Sequence, residues 1–200
     1  MAKDVEAAPS LQVQEILAEL KAQAKDKAVL EVACGTGNWT RVLAPLARTI
    51  TGTDYSEGML DVARSRQIAK ARFVQDDAYS LNALGAERYE FGYAMWLVSH
   101  LALARWDEFF RAFHAKLKPG AKVLLADDIR RTNDSDPWYS KLATRDSYEI
   151  RRLPNGGTYE IVKTYFTPDQ LHALLQPYAE NIQLRYGQPS WWLTYEVRSR

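Results

Sequence analysis

The chain has 200 residues, of which 46% are hydrophobic and 26% are charged, and this size and balance are typical of one globular domain. The 26 Lys and Arg nearly match the 25 Asp and Glu, so no overall charge attracts nucleic acid or an anionic membrane, and a local basic patch stays open as an alternative. One cysteine and three histidines exclude an intrachain disulfide and a Cys/His zinc cluster. Without a secretory-type apolar start or a membrane-length apolar run, we predict a cytoplasmic protein with no membrane partner and no bound metal.

Helices and strands alternate through the first two thirds of the chain. Residues 10–25 carry apolar side chains at helical spacing and predict a short amphipathic helix. Short apolar runs then alternate with helical patterns, and this order predicts a parallel sheet because parallel strands need crossover connections. The predicted strands are 27–33, 48–54, 71–75, 89–96 and 121–127, and the predicted helices are 39–46, 58–67 and 106–117.

The pattern changes after residue 128. Residues 130–137 are polar, and residues 148–153 and 158–166 flank the sequence Pro-Asn-Gly-Gly at 154–157, which predicts a hairpin turn. Thr167 followed by Pro168 predicts the start of a helix that runs to about residue 175. Two last strands, near 181–187 and 191–197, are expected to pair antiparallel. We find no linker and predict one domain over residues 1–200.

Two glycines follow the first predicted strand. Gly35 and Gly37 lie at the edge where open α/β sheets bind ligands, and glycine lets a ligand approach the main chain. Asp54 ends the next strand, 17 residues after Gly37, where its carboxylate can accept hydrogen bonds from both hydroxyls of a ribose. This arrangement fits any ligand that contains adenosine, and the alternative is a tight turn that binds nothing.

Two further residues discriminate between adenosine ligands. A dinucleotide-binding loop has Gly or Ala three residues after its second glycine, and that position is Thr40 here. Glu31 lies four residues before Gly35, and a carboxylate there attracts a cation and repels a pyrophosphate. The ammonium and sulfonium groups of S-adenosylmethionine (SAM) fit this charge, so we predict SAM as the cofactor.

Five segments, in order along the chain, resemble the motifs of the class I SAM-dependent methyltransferases. They are LEVACGTGNWT at 30–40, TDYSEGML at 53–60, FVQDDA at 73–78, YEFGYAMW at 89–96 and LKPGAKV at 117–123. The resemblance implies an α/β fold with a Rossmann-like, seven-stranded, mostly parallel sheet, an antiparallel last strand and helices on both faces. It covers residues 27–128 closely and the rest loosely. Gly92 departs from the pattern, since glycine weakens a strand.

Carried over to the matching positions, the resemblance implies a set of cofactor contacts. Asp76 is an alternative to Asp77 because the two acids are adjacent. The implied contacts are Glu31 for the amino group through backbone or water, Gly35 and Gly37 for the methionyl part, Asp54 for the ribose, Tyr55 and Met59 for the adenine edge, Asp77 for the adenine amino group with the Ala78 amide nearby, and Trp96 for the opening through which the methyl group leaves.

The catalytic candidates follow from the chemistry of methyl transfer. A sulfonium is already activated, so positioning accounts for much of catalysis, and a base is needed only for a protonated acceptor. Polar residues at the ends of strands four and five are therefore candidates. We select His100 as the general base and Asp128 as a second catalytic residue, with Asp127 as an alternative. For each, capping or packing at a turn is the competing interpretation.

Residues 130–166 are interpreted as a substrate lid, between the core at 27–128 and the closing elements at 167–200. The segment is rich in aromatic and basic residues, which suit a small aromatic or anionic acceptor; the alternative is that the aromatics pack the hairpin onto the sheet. The aromatic residues are Trp138, Tyr139, Tyr148, Tyr159, Tyr165 and Phe166, and the basic ones are Arg145, Arg151, Arg152 and Lys163.

Small molecules are expected as acceptors rather than nucleic acids. Strand four is followed by MWLVS at 95–99 and not by the Asn/Asp-Pro-Pro-Tyr-like run of enzymes that methylate base amines, and no basic arm or RNA-binding module is evident. Two alternative functions stay open at this point. One is a nicotinamide-dependent oxidoreductase on a related nucleotide-binding fold, and the other is a catalytically inactive, cofactor-binding partner subunit.

Overall fold

A computed structural model describes residues 10–131, 137–141, 146–153 and 155–198. Three features considered above lie outside these described residues. They are the start of the chain at residues 1–9, the basic residue Arg145 of the predicted lid, and Pro154 of the predicted turn.

The core of the protein is a seven-stranded sheet with the strand order β3-β2-β1-β4-β5-β10-β9. Strands β1 to β5 are parallel, and the last strand β10 runs antiparallel between β5 and β9. The predicted mostly parallel sheet with an antiparallel last strand is therefore confirmed. The strands are β1 (Ala28–Val32), β2 (Thr49–Asp54), β3 (Ala71–Gln75), β4 (Tyr89–Met95), β5 (Leu117–Asp128), β9 (Ala179–Gly187) and β10 (Ser190–Val197).

Helices cover both faces of this sheet. Because successive strand residues point to opposite faces, Tyr93 of β4 packs in a cluster with Ile16 of α1, whereas Ala94 packs in a second cluster with Phe109 of α4. None of the helices in the described part of the chain is long and apolar enough to cross a membrane. The helices are α1 (Leu11–Ala24), α2 (Asn38–Leu43), α3 (Glu57–Ser65), α4 (Trp106–Ala115) and α5 (Pro168–Leu175).

Local sequence signals explain where several elements begin and end. The helix predicted at 39–46 ends at Leu43: Ala44 still has helical backbone angles, but Pro45 has no amide hydrogen with which to continue the helical hydrogen bonds. Helix α5 begins as predicted, with Thr167 and Gln170 forming a capping box and Pro168 in the first turn. Strand β5 begins at Leu117, four residues before the predicted start, because Leu117 already pairs with Tyr89 of β4.

The departure at Gly92 has a packing reason. A Cβ at this position would lie 2.8 Å from the Phe113 ring of α4, closer than real Cβ contacts. Gly92 therefore lets α4 pack against β4, and its neighbours in the sheet, Leu30 and Val123, keep the strand regular.

A second, three-stranded sheet of order β6-β7-β8 lies between β5 and α5 in the chain. Strands β7 (Ser147–Arg152) and β8 (Thr158–Val162) form the predicted hairpin, and Tyr148 pairs with Val162. The edge strand β6 (Trp138–Ser140) was not predicted, because three residues are too short to carry an alternating pattern. The strand predicted to run to residue 166 ends at Val162, since the Thr164 amide donates to the Ser99 carbonyl of the turn after β4 instead of continuing the pairing with β7.

Candidate active site

A cavity of about 500 Å³ opens at the carboxyl edge of strands β1 to β4. Its wall joins residues that are far apart in sequence, as expected where parallel strands end side by side. The residues that bear on function are Ala33, Asp54, Tyr55, Asp77, Ala78 and His100. The structure thus brings together five of the predicted site residues, and the others lie around the same edge.

Glycine is needed at two positions of the loop after β1 for different structural reasons. Both adopt a positive φ, 54° at Gly35 and 74° at Gly37, which favours glycine over any residue with a Cβ. A Cβ at Gly37 would lie 3.1 Å from the Phe73 ring, so this glycine also serves packing. A Cβ at Gly35 would meet nothing within 4 Å, so Gly35 leaves open space at the mouth of the loop. A backbone cradle of this kind fits a ligand that approaches the main chain.

The Asp54 carboxylate is fixed by the main chain. Its Oδ2 accepts a hydrogen bond from the Gly35 amide at 2.8 Å, and its Oδ1 accepts one from the Ser56 amide at 2.9 Å. A carboxylate oxygen accepts more than one hydrogen bond, so both oxygens keep capacity for ligand hydroxyls. Asp54 is therefore held ready at the cavity wall, which fits the predicted contact with a ribose.

Asp76 and Asp77 both line the cavity, but their carboxylates differ in what they bind. Asp76 accepts from the Asp77 amide at 2.9 Å and from the Ala83 amide at 2.8 Å, so each of its oxygens holds the loop after β3. Asp77 accepts from the Tyr79 amide through Oδ1, and its Oδ2 has no partner in the part of the chain that the structure describes. This geometry favours Asp77 for a ligand amino group.

Glu31 lies beneath the loop rather than at the cavity wall. Its side chain is 1% exposed, and its carboxyl accepts a hydrogen bond from the Thr40 hydroxyl. Burial raises the pKa of Glu31 to about 7, while the hydrogen bond from Thr40 opposes the shift. The residue that departs from the dinucleotide pattern, Thr40, therefore holds the very carboxyl whose charge suits a cationic ligand.

Of the predicted residues Tyr55, Met59 and Trp96, Tyr55 lines the cavity, whereas Met59 and Trp96 do not. Tyr55 is 77% exposed at its wall, and Met59 is 47% exposed on α3, so both present free surface to a ligand. Trp96 has a left-handed backbone with φ of 55°, and its ring stacks on Trp39 with centroids 5.5 Å apart. Its indole Nε1 donates to Asp128 Oδ1 at 3.1 Å, which joins two of the predicted site residues.

His100 lies in a short 3-10 turn, Val98–His100, that follows β4. Its Nδ1 lies 2.8 Å from the Val162 carbonyl oxygen of strand β8. Because a carbonyl only accepts, Nδ1 carries a proton and Nε2 is the ring nitrogen that can take one up. Packing around the imidazole lowers the pKa of His100, and the Lys163 ammonium lowers it further. A neutral His100 at the cavity wall has the properties of a general base.

Asp127 and Lys163 form a buried ion pair that the sequence did not reveal. Asp127 is fully buried, and Lys163 is 2% exposed with its Nζ 3.1 Å from Asp127 Oδ1. Asp127 is therefore committed to the protein's own structure, and Lys163 is not a free cation for an anionic acceptor. The prediction was wrong for Lys163 because residues 36 positions apart show no common pattern. Arg151, another basic lid residue, pairs with Glu149 at 2.5 Å.

Comparisons with known proteins agree with the motifs and the fold. Residues 29–120 match a family model described as a methyltransferase domain. The ubiquinone biosynthesis O-methyltransferase of Dinoroseobacter shibae is 30% identical over 153 residues, which are 74% of this chain and 57% of that relative. The structure of DhpI in its complex with SAH has a TM-score of 0.77 and 21% identity, covering 98% of this chain and 90% of DhpI. A tRNA N(3)-methylcytidine methyltransferase of Schizosaccharomyces pombe is 25% identical over 126 residues, 56% of this chain and 40% of that relative.

The strand order, the loop after β1 and the matched domain define the class of the protein. Residues 29–120 match the methyltransferase domain, and the predicted resemblance to the class I SAM-dependent methyltransferases is confirmed. This chain spans only 57% of the length of each of the first two relatives, both of which are ubiquinone biosynthesis O-methyltransferases. Neither alternative function, the nicotinamide oxidoreductase or the inactive partner subunit, gains support from these comparisons.

Proposed function

We propose that this protein transfers the methyl group of SAM to an oxygen or nitrogen atom of a small molecule in the cytoplasm. The observation that carries the proposal is the single cavity in which the Asp54 carboxylate, the Asp77 carboxylate and the His100 imidazole share one wall. Two carboxylates that accept from hydroxyl and amino groups suit adenosine, and a neutral imidazole suits proton removal from an acceptor.

Different residues at the cavity edge contact different parts of SAM. Asp54 accepts from the ribose, Asp77 accepts from the adenine amino group with the Ala78 amide nearby, and Tyr55 and Met59 cover the adenine edge. Gly35 and Gly37 admit the methionyl part. The buried Glu31 favours its cationic groups through the field of its carboxylate. Bound SAM supplies an activated methyl group, which the acceptor atom takes by in-line displacement.

At the acceptor side, His100 and Asp128 are the proposed catalytic residues. His100 takes the proton of an acceptor O–H or N–H through Nε2, and Asp128 orients the acceptor beside Trp96, whose indole it already binds. We propose residues 130–166 as a lid over this opening, within one methyltransferase domain over residues 1–200. Support comes from the small sheet β6-β7-β8, whose strand β8 contacts His100.

The first test is cofactor binding, measured by titration calorimetry with SAM and S-adenosylhomocysteine. We expect micromolar-range binding by the unaltered protein and at least a tenfold loss in Asp54→Ala, about 1.4 kcal/mol or more, because the fixed carboxylate is removed. Asp61→Ala is the matched control, since Asp61 is an exposed acid of α3 that pairs only with the surface residue Arg64 in the described structure. Equal affinity in Asp54→Ala and the control would refute the proposed site.

The second test identifies the acceptor. A panel of phenols, amines and heterocycles, with a tRNA transcript as a further substrate, is assayed for release of S-adenosylhomocysteine. We expect turnover with a small molecule and a loss of about 10²-fold or more in His100→Ala for a protonated acceptor. Turnover of the tRNA alone would overturn the small-molecule assignment. Full activity of His100→Ala on the best acceptor would remove His100 as the base.

A further inference from the structure

Two neighbouring residues of the lid contact two neighbouring residues of the turn that carries His100. The Val162 carbonyl lies 2.8 Å from His100 Nδ1, and the Lys163 ammonium donates to Ser99 Oγ at 2.8 Å. The Thr164 amide also donates to the Ser99 carbonyl at 2.8 Å. The end of β8 and residues 99–100 are therefore joined by hydrogen bonds at three consecutive positions, 162 to 164.

The ammonium of Lys163 is the buried centre of this junction. Its Nζ lies 3.1 Å from Asp127 Oδ1 and 3.6 Å from Asp128 Oδ2. Asp127 in turn accepts from the Ser99 hydroxyl and the Ser99 amide, both at 2.8 Å. A buried charge is costly unless it is paired and hydrogen-bonded, so Lys163 has one well-defined position. That position fixes the backbone of residue 163 and the carbonyl just before it.

We propose that Lys163 is a positioning residue for His100: its ammonium, held by Asp127 and Ser99, places the Val162 carbonyl so that His100 keeps its proton on Nδ1 and presents Nε2 to the acceptor. The role of Nε2 rests on the proposed function. The positioning itself is a property of the protein without any substrate, so it is measured separately.

The pKa of His100 distinguishes a positioning role of Lys163 from a role in which Lys163 only stabilises the fold. From the lid, Lys163 and Arg151 lower the pKa of His100, whereas Asp127 of β5 and the Val162 carbonyl raise it. Removal of the Lys163 charge leaves Asp127 without its ion-pair partner. The pKa of His100 is then expected to rise, because a cation that disfavours the imidazolium is gone while the Asp127 carboxylate that favours it remains.

The test is ¹⁵N NMR of the histidine rings in Lys163→Met. The chain has three histidines, and His100→Gln identifies the signal of His100. In the unaltered protein we expect Nδ1 to be protonated at neutral pH. In Lys163→Met we expect a mixture of tautomers and a raised titration midpoint. The matched control is Lys141→Met, which removes a lid lysine from its half-exposed pair with Glu160 and leaves His100 unchanged.

Kinetics supply the second arm, with the best acceptor from the panel. In Lys163→Met we expect kcat to fall about tenfold or more, the acid limb of kcat/KM to move to higher pH, and KM for SAM to stay within about twofold, since Asp54 is untouched. If kcat falls while the tautomer and the midpoint of His100 are those of the unaltered protein, Lys163 only supports the fold and the proposal is wrong. If His100→Gln retains activity, the proposed base fails, whereas the NMR result still decides the positioning.

Lys163→Met can fail to fold because Asp127 is left as an unpaired buried charge. The double variant Lys163→Met/Asp127→Asn removes both charges together and avoids this cost. We expect it to fold and to show the same mixture of His100 tautomers, because the Lys163 ammonium no longer holds residue 163 in place. A double variant in which Nδ1 of His100 remains fully protonated, as in the unaltered protein, would contradict the proposal.

Discussion

At the scale of single residues, the ionisation of Glu31, beneath the loop after β1, is expected to make the stability of the fold depend on pH. Its carboxyl is buried, and no cation pairs with it among the residues that the structure describes. Burial raises its pKa from 4.5 to about 7 in the folded protein. The folded protein therefore binds a proton between these pH values that the unfolded chain does not bind.

Stability is expected to fall as the pH rises from about 4.5 to about 7. The free energy of unfolding falls by up to about 3 kcal/mol over this pH range, because ionisation of a buried carboxyl is costly. Below this range Glu31 is protonated in both the folded and the unfolded state. In Glu31→Gln this decline is expected to be absent. Urea unfolding at several pH values measures it. The same slope in both proteins would show that Glu31 is not the group responsible.

The carboxylates of Asp76 and Asp77 differ in the hydrogen bonds that they accept. The two residues are adjacent and line the same cavity. Asp76 uses both oxygens to hold amides of its own loop, whereas Asp77 uses one. Hydrogen-bond capacity, which depends on the loop conformation, therefore distinguishes them.

At the scale of elements, the contact between β4 and α4 depends on the missing side chain at Gly92. In Gly92→Ala the new Cβ would overlap the Phe113 ring, so we expect a loss of about 1–3 kcal/mol in the free energy of unfolding. Denaturant unfolding of Gly92→Ala measures the loss. Gly58→Ala is the matched control, since a Cβ there meets nothing within 4 Å, and it is expected to leave stability unchanged or to raise it slightly.

A second substitution shows whether overpacking is the cause. In the Gly92→Ala background, Phe113→Leu makes room for the new methyl group, so the double variant is expected to lose less free energy than the two single losses together. Additive losses would mean that Gly92 and Phe113 do not restrict each other, contrary to the packing in the structure.

At the scale of the whole molecule, the proposed site lies where four strands end, so ligand binding is expected to stabilise the entire fold. SAM at 100 times its Kd adds about 2.7 kcal/mol to the free energy of unfolding. For a chain of this size the Tm then rises by roughly 5–11 °C. Thermal scans with and without SAM measure this shift. Asp54→Ala is expected to show a much smaller one, and a large shift in that variant would place SAM elsewhere.

The sequence by itself determined the resemblance to the methyltransferases, the order of most elements and most of the polar residues at the edge of the cavity. These features are local: the glycines after β1, the acid at the end of β2 and the acids after β3 each lie within a few residues of a strand end. The periodicity of neighbouring residues decides a strand or a helix, so β3 and α5 were predicted nearly to the residue.

Only the tertiary structure decided which polar side chains are free to act. Lys163, Asp127 and Ser99 meet from three separate elements, up to 64 residues apart, and no local pattern records such a meeting. Burial makes Asp127 an internal ion-pair partner, and it joins the Lys163 ammonium to Asp127 and Ser99 instead of leaving it as a surface cation. The reason is physical: the cost of burying a charge depends on what surrounds it in space, and that environment exists only after the sheets have packed together.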